Sequence, residues 1–271
     1  MLKSIKPFIE THFPKLFGIM SDIRDEKAIK DGEAEIRLLP LFVSKGDVVC
    51  DVGANRGLYT YWFLKLGAKV QAFEPNPRLT RIMRLRFARA MKTGQLEVHD
   101  SAASDHADSV TLEVPANAAA LGTIEHGALD KVASARVDTF TVATCRLDDV
   151  VSGPVDFIKI DVEGHEVAAV DGSLGTLGRA HPTLLIEAEE RHKKGSIEML
   201  RARLEPLGYK GFFFDGRKLN PIESFDKATH QNVAALNEEG TGRRPGMIYY
   251  NNFIFAQRPD VIGKIADFNR N

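Results

Sequence analysis

Two short stretches of this chain gather residue types that do chemistry. One is Val48-Val49-Cys50-Asp51-Val52-Gly53-Ala54-Asn55-Arg56-Gly57, an apolar run that ends in an acid and a glycine-spaced turn. Gly53 has no Cβ, so the backbone there can turn sharply and approach a ligand closely. Glu74 follows Asp51 by 23 positions, within Val70-Gln71-Ala72-Phe73-Glu74-Pro75. An acid at the end of the second strand of a nucleotide-binding sheet commonly grips ribose hydroxyls. The turn and the two acids together imply a nucleoside-containing cofactor.

The glycine spacing narrows the choice. A nicotinamide or flavin fingerprint is G-x-G-x-x-G, whose second glycine admits a pyrophosphate. Here Gly53 and Gly57 stand four apart, with Ala54 and Asn55 between them and Asp51 in front. No Lys-Ser or Lys-Thr follows the glycines, which excludes a phosphate-cradling P-loop. A turn of this kind suits a cationic, phosphate-free ligand such as S-adenosylmethionine. Two glycines after a strand are also common turn punctuation, so the motif gains its weight from what lies downstream.

The second stretch is Asp161-Val162-Glu163-Gly164-His165-Glu166, three carboxylates and an imidazole in six positions. Methyl transfer to oxygen is an in-line displacement that aligns donor and acceptor and removes a proton from the acceptor. Asp161, at a strand end, is best placed to orient or deprotonate that acceptor. His165, which titrates near neutrality, and Glu187 are the further catalytic candidates; on the bland alternative His165 simply faces solvent on a helix's first turn. Asp161, Glu163, Glu187 and His192 also form a hard donor set for Mg²⁺, but their spacing does not require a metal and none is expected. Glu189-Glu190-Arg191-His192 reads equally well as a solvated charge run.

Strand-like and helix-like runs alternate along most of the chain, the mark of a parallel sheet covered on both faces. Strands are predicted at Val48–Val52, Lys69–Glu74, Gln95–Asp100, Val155–Asp161, Thr183–Glu187, Tyr209–Phe214 and Asn252–Ala256. Ser109–Val114 and Val137–Cys145 show the β-branched alternation of a hairpin or edge strands. Helices are predicted at Leu58–Leu66, from Pro77 to about Met91, at Glu166–Leu177 and at Ile197–Leu207. Ligands of such sheets bind beyond the carboxyl ends of the strands, and five of those ends carry acids: Asp51, Glu74, Asp100, Asp161 and Glu187. Each alone reads as a helix cap; five in succession imply one acidic rim. The predicted cofactor contacts are Asp51, Gly53, Asn55, Gly57, Glu74, Pro75, Asn76 and Asp161, with Asp100, Ser101 and Ala102 beside an adenine.

Composition sets the outer bounds. The 271 residues, 44% hydrophobic and 27% charged, suffice for a sizeable core. A formal net charge of −1 gives no electrostatic footprint for nucleic acid. Cys50 and Cys145 are the only cysteines and show no zinc spacing, which fits a reducing cytoplasm. No apolar run approaches the roughly 20 residues that span a bilayer. Leu2, Ile5, Phe8, Ile9, Phe13, Leu16 and Phe17 recur at helical spacing, an amphipathic segment interrupted at Pro14. It is expected to pack on the main domain, with a membrane surface or a dimer partner as the alternatives. Residues 1–32 therefore read as a helical extension, 33–258 as one domain and 259–271 as a tail, with a flexible loop at 237–246.

The series Asp51-Val52-Gly53-Ala54-Asn55-x-Gly57, Ala72-Phe73-Glu74-Pro75-Asn76-Pro77, Leu147-Asp148-Asp149 and Ile158-Lys159-Ile160-Asp161-Val162-Glu163-Gly164-His165-Glu166 resembles the FkbM-type methyltransferases. The resemblance runs from about Ala34 to Phe255. It implies a Rossmann-like class I methyltransferase fold, a seven-stranded, mostly parallel sheet with an antiparallel last strand and helices on both faces. It implies S-adenosylmethionine as cofactor and O-methylation of a hydroxyl on a sugar or polyketide-type metabolite. Carried over, the cofactor loop falls on Asp51, Gly53, Asn55 and Gly57, the ribose acid on Glu74, and the fourth-strand motif on Asp161, Glu163 and Gly164. The position of His165 is often alanine in the family, and Arg56 replaces a small apolar residue. The rival readings are an amine or carboxylate acceptor, a non-catalytic module that keeps the cofactor fold, and a nicotinamide-dependent dehydrogenase, which the missing middle glycine opposes.

Overall fold

Val48–Val52 is apolar apart from Asp51 and forms β1, which a computed structural model of the chain sets third from one edge of the main sheet. The structure describes residues 9, 12–31, 34–115, 122–124, 137–237 and 242–270. In chain order the other strands are β2 (Lys69–Phe73), β3 (Leu96–His99), β4 (Ser101–Ala103), β5 (Ser109–Pro115), β6 (Val137–Cys145), β7 (Phe157–Ile160), β8 (Thr183–Glu187), β9 (Lys210–Phe214), β10 (Leu219–Pro221) and β11 (Asn252–Ala256).

The main sheet runs β3-β2-β1-β7-β8-β11-β9-β10. From β3 to β8 neighbouring strands are parallel, and β11 runs antiparallel to β8 and β9. This is the α/β, mostly parallel sheet with an antiparallel last strand that the sequence predicts. The count is eight rather than seven. Asp215 turns the chain after β9, accepting the backbone N–H groups of Arg217 and Lys218 on its side chain, and three-residue β10 folds back on β9. Too short to show alternation, β10 leaves no trace in the hydrophobic pattern.

β1 pairs Val52 with Phe73 on one side and with Ile160 on the other. That register brings Gly53, Glu74 and Asp161 to one end of three adjacent strands. Phe63 and Phe157 pack on one side of the sheet and Phe73, Phe253 and Phe255 on the other, all fully buried, each ring worth about 1.5–3 kcal/mol. β5 and β6 form the predicted hairpin, joined by β4 in a separate three-stranded sheet.

Three local expectations change. The helix from Pro77 breaks at Phe87 into Pro77–Arg86 and Ala88–Lys92, where the Phe87 ring packs against Gly57. The helix from Glu166 breaks at Gly172, whose ideal Cβ would fall 1.9 Å from the Ser104 carbonyl oxygen. The segment read as a tail is the helix Pro259–Arg270, which buries Val261 and Ile265. Pro14 begins the helix Pro14–Asp31, and residues 9 and 12 before it are helical while Phe13 is not, so the chain is interrupted there as expected. Phe17 of that helix packs on Leu79 and Ile82, as expected for docking on the main domain; most of residues 1–11 and, in the expected loop, 238–241 lie outside the described residues.

Candidate functional site

The carboxyl ends of β1, β2 and β7 and the face of the small sheet line an open cleft. Gly53, at φ +76°, begins the wall. An ideal Cβ on it would fall 1.8 Å from the Asp161 carbonyl oxygen, so only glycine lets these two strand ends approach. The Gly53 and Ala54 amides donate to the Phe73 carbonyl, at 2.9 and 3.0 Å.

Glu74 is the best-held group in the cleft. Its Oε2 accepts the Asn55 amide and its Oε1 the Asn76 amide, each at 2.8 Å. Burial pushes its carboxyl up to about 7, while the two amides pull the other way. Asn76 caps the following helix by accepting the Arg78 amide, and Pro75 and Asn76 both line the cleft. The carboxylate is fixed by backbone and keeps lone pairs for a diol.

The other acids of the predicted rim separate. Asp51 is fully buried and does not line the cleft; Oδ2 accepts the Thr60 hydroxyl at 2.5 Å, and Oδ1 has no hydrogen-bond partner. Burial raises its carboxyl, and Lys159 opposes the rise. Asp100 turns to Arg84, whose Nη1 donates to both of its oxygens at 2.8 and 2.7 Å, outside the lining. Ser101 and Ala102 line the cleft beside Phe73 and Leu112, an apolar slot of the kind a planar base fills. Gly57 stands behind the wall, with φ +82° and an ideal Cβ 2.4 Å from the Phe87 ring.

At the β7 end Asp161 Oδ2 accepts Lys159 Nζ at 2.8 Å, and the ammonium lies 4.5 Å from the Tyr59 ring centroid. Burial works against that ammonium, but the carboxylates of Asp161, Asp51 and Glu187 outweigh it and hold Lys159 charged. One buried cation thus serves acids from three adjacent strands. Glu187 is a fringe member: it accepts Asn251 Nδ2 at 2.5 Å and lies outside the cleft lining. His165 lines the cleft with its Nε2 3.0 Å from the Ser104 hydroxyl.

Glu163 is the residue whose role the sequence understates. It lines the cleft in a left-handed conformation, φ +51°, which costs a non-glycine residue on the order of 1–3 kcal/mol. Its backbone carbonyl accepts the Thr123 hydroxyl, and its Oε2 lies 3.3 Å from His192 Nδ1. Burial first, then the charges of Asp161, Glu189 and Glu166, pushes its carboxyl up to about 8. Burial also lowers His192. Glu189 is spoken for by Arg191 and the Tyr249 hydroxyl, which outweigh its burial and hold it low. Among the described residues no group of three or more His, Cys, Asp or Glu is arranged to hold a metal ion. The overlooked residue on this side is Lys159, a lone charge inside the apolar run Phe157–Ile160; a cation there already implied buried acids around it.

A family model described as Methyltransferase FkbM domain matches residues 51–210, more than half of the chain. No curated protein matches it. Among solved structures, Methyltransferase FkbM from Methylobacillus flagellatus is similar with a TM-score of 0.49 and 18% identity over 78% of this chain and 44% of that one. The chain thus spans under half the length of that relative. An rRNA methylase from Streptococcus thermophilus is similar with a TM-score of 0.44 and 11% identity, covering 82% of this chain and 94% of that one. A TehB-like SAM-dependent methyltransferase from Corynebacterium glutamicum gives a TM-score of 0.40 and 13% identity, covering 89% and 96%. No helix among the described residues is long and apolar enough to cross a membrane.

Proposed function

From the premise that this chain belongs to the FkbM methyltransferase family, we propose that its cleft binds S-adenosylmethionine and that the protein methylates a hydroxyl of a sugar or of a glycosylated or polyketide-type metabolite. The observation that carries the cofactor reading is Glu74. A carboxylate locked by two backbone amides and facing a cleft is preorganised for a vicinal diol, and both charge-assisted bonds form without reorganisation.

When bound, S-adenosylmethionine supplies an electrophilic methyl group on a positively charged sulfur. The residues of the chain do the rest. Glu74 and the Asn55–Gly57 turn hold the ribose end, and Ser101 and Ala102 flank the base. Asp161, its charge balanced by Lys159, orients the sulfonium and the acceptor. An acceptor hydroxyl aligned with that methyl group would have to give up its proton. Glu163 suits the role of base better than Asp161 does, because no ammonium is bonded to it; with its carboxyl raised to about 8 by burial and neighbouring charges, it accepts that proton in the ionised form, which grows as pH rises towards 8. His192, beside Oε2 and a quarter exposed, passes the proton towards solvent. His165 is bonded to Ser104 and Glu187 to Asn251, which suits both to positioning the loops.

Calorimetry with S-adenosylmethionine, S-adenosylhomocysteine and NAD tests the cofactor. Micromolar binding of the first two and none of NAD is expected. NAD binding alone would end the methyltransferase reading. The acceptor is reached by incubating cell extract with label in the transferable methyl group; a product labelled in a methyl ether is expected, and one labelled at nitrogen would move the reaction to amines.

A further inference from the structure

The helix Pro14–Asp31 lies outside the matched family region, yet it reaches the cofactor loop through one buried side chain. Arg86, the last residue of the helix Pro77–Arg86, has a side chain with no exposure at all. Its Nε donates to Asp22 at 2.6 Å and its Nη2 to Asp25 at 2.8 Å, both on the N-terminal helix. Its Nη1 donates to the Arg56 carbonyl at 2.7 Å. The guanidinium carbon sits 4.6 Å from the Phe87 ring centroid and 5.4 Å from that of Tyr61. Asp25 is itself fully buried, and its carbonyl accepts Trp62 Nε1 at 3.1 Å.

The loop is therefore held from both sides. In front, the Asn55 amide is bonded to Glu74; behind, the next carbonyl is bonded to Arg86. Gly57 closes the same unit against the Phe87 ring. A buried guanidinium with two carboxylates and the Arg56 and Gly57 carbonyls in fixed directions cannot move without leaving its own charge unpaired, although Asp25 keeps a second partner in Arg24. Such a group sets where the loop amides point.

We propose that Asp22, Asp25 and Arg86 form a clamp that sets cofactor affinity, with Arg86 a positioning residue for the Asn55–Gly57 turn. The N-terminal helix is then part of the cofactor site without touching the cofactor. This rests on the nucleoside reading of the cleft. It differs from simple structural support in what it predicts for the folded protein: the loop loses its register while the domain persists.

The test is calorimetry with S-adenosylhomocysteine on the full chain, reading the dissociation constant and the stoichiometry separately. Arg86→Lys keeps the charge but cannot reach three acceptors, and it should weaken binding on the order of tenfold. Asp22→Asn removes one charged partner at the half-exposed end of the clamp and should weaken binding about threefold. Glu26→Gln, which breaks the exposed pair with Lys65 on the same helix, should leave affinity unchanged. A merely structural role would lower the stoichiometry and leave the dissociation constant of the folded fraction where it was, and that result would overturn the clamp. If Arg86→Lys does not fold, Asp22→Asn decides by the same criterion. Absence of binding by the unsubstituted protein would instead remove the nucleoside reading itself.

Discussion

The two ends of the cleft use the same residue type in opposite states. At the β1–β2 end a single carboxylate, Glu74, has both oxygens satisfied by backbone amides. At the β7–β8 end Asp161, Glu163, Glu166 and Glu189 crowd together, Glu163 sits in a strained left-handed conformation, and its nearest partner is a histidine at 3.3 Å. A carboxylate that must hold a ligand needs fixed direction. One that must accept a proton needs a high affinity for it, which burial and like charges supply. On the function proposed above, the difference separates binding from reaction within one cleft.

Lys159 joins the two halves, so its loss should have the largest effect. Lys159→Met leaves Asp51 and Asp161 without their buried cation and should cost about 3–5 kcal/mol of stability in chemical denaturation. A loss under about 1 kcal/mol would mean that the acids of three strands do not depend on it. Next comes Glu163→Gln, which keeps shape and removes the base. Turnover on an identified acceptor should fall on the order of 10²–10³-fold, with the affinity for S-adenosylhomocysteine within about twofold. Equal losses in both would merge the two ends into one. Glu74→Ala should do the converse, weakening S-adenosylhomocysteine about a hundredfold by removing two charge-assisted bonds and stranding the Asn55 and Asn76 amides; calorimetry reads it directly.

The smallest effect is the slope of stability with pH. Glu74, Glu163 and Glu166 bind protons in the folded chain up to about 7, 8 and 7, against an ordinary value of 4.5. A raised carboxyl favours the fold while protonated. Its contribution is complete below about pH 4.5 and is lost as pH rises through 7 to 8. The unfolding midpoint of the ligand-free protein should fall across that window. His99 and His192, held below their ordinary 6.5 by burial, act in the opposite direction. Glu166→Gln isolates the carboxyl contribution and should flatten the fall; an unchanged slope would remove Glu166 from it.

Much of the binding end is legible in the sequence, because its geometry is made by backbone. The Gly53–Gly57 spacing fixes the turn, and Pro75-Asn76-Pro77 fixes a capped helix start that puts an amide on Glu74. The reacting end is less legible. Five acidic strand ends read as one rim, yet Asp100 turns to Arg84 and Asp51 lies beneath the cleft on the Thr60 hydroxyl, because orientation depends on partners that the strand pattern does not reveal. Glu163 and His192 are 29 positions apart, and only the β7–β8 register brings them together. The N-terminal clamp was equally hidden: Asp22 and Asp25 look like surface charges until Arg86 is placed between them and the Arg56 carbonyl.

The separation of a holding end from a reacting end is met most directly by a crystal structure of the protein with S-adenosylhomocysteine. Both ribose hydroxyls should lie within hydrogen-bond distance of the Glu74 carboxylate, with the base between Ser101–Ala102 and Leu112 and the sulfur towards Asp161 and Glu163. A nucleoside bound at the Glu163 end, or one that leaves Glu74 uncontacted, would contradict it.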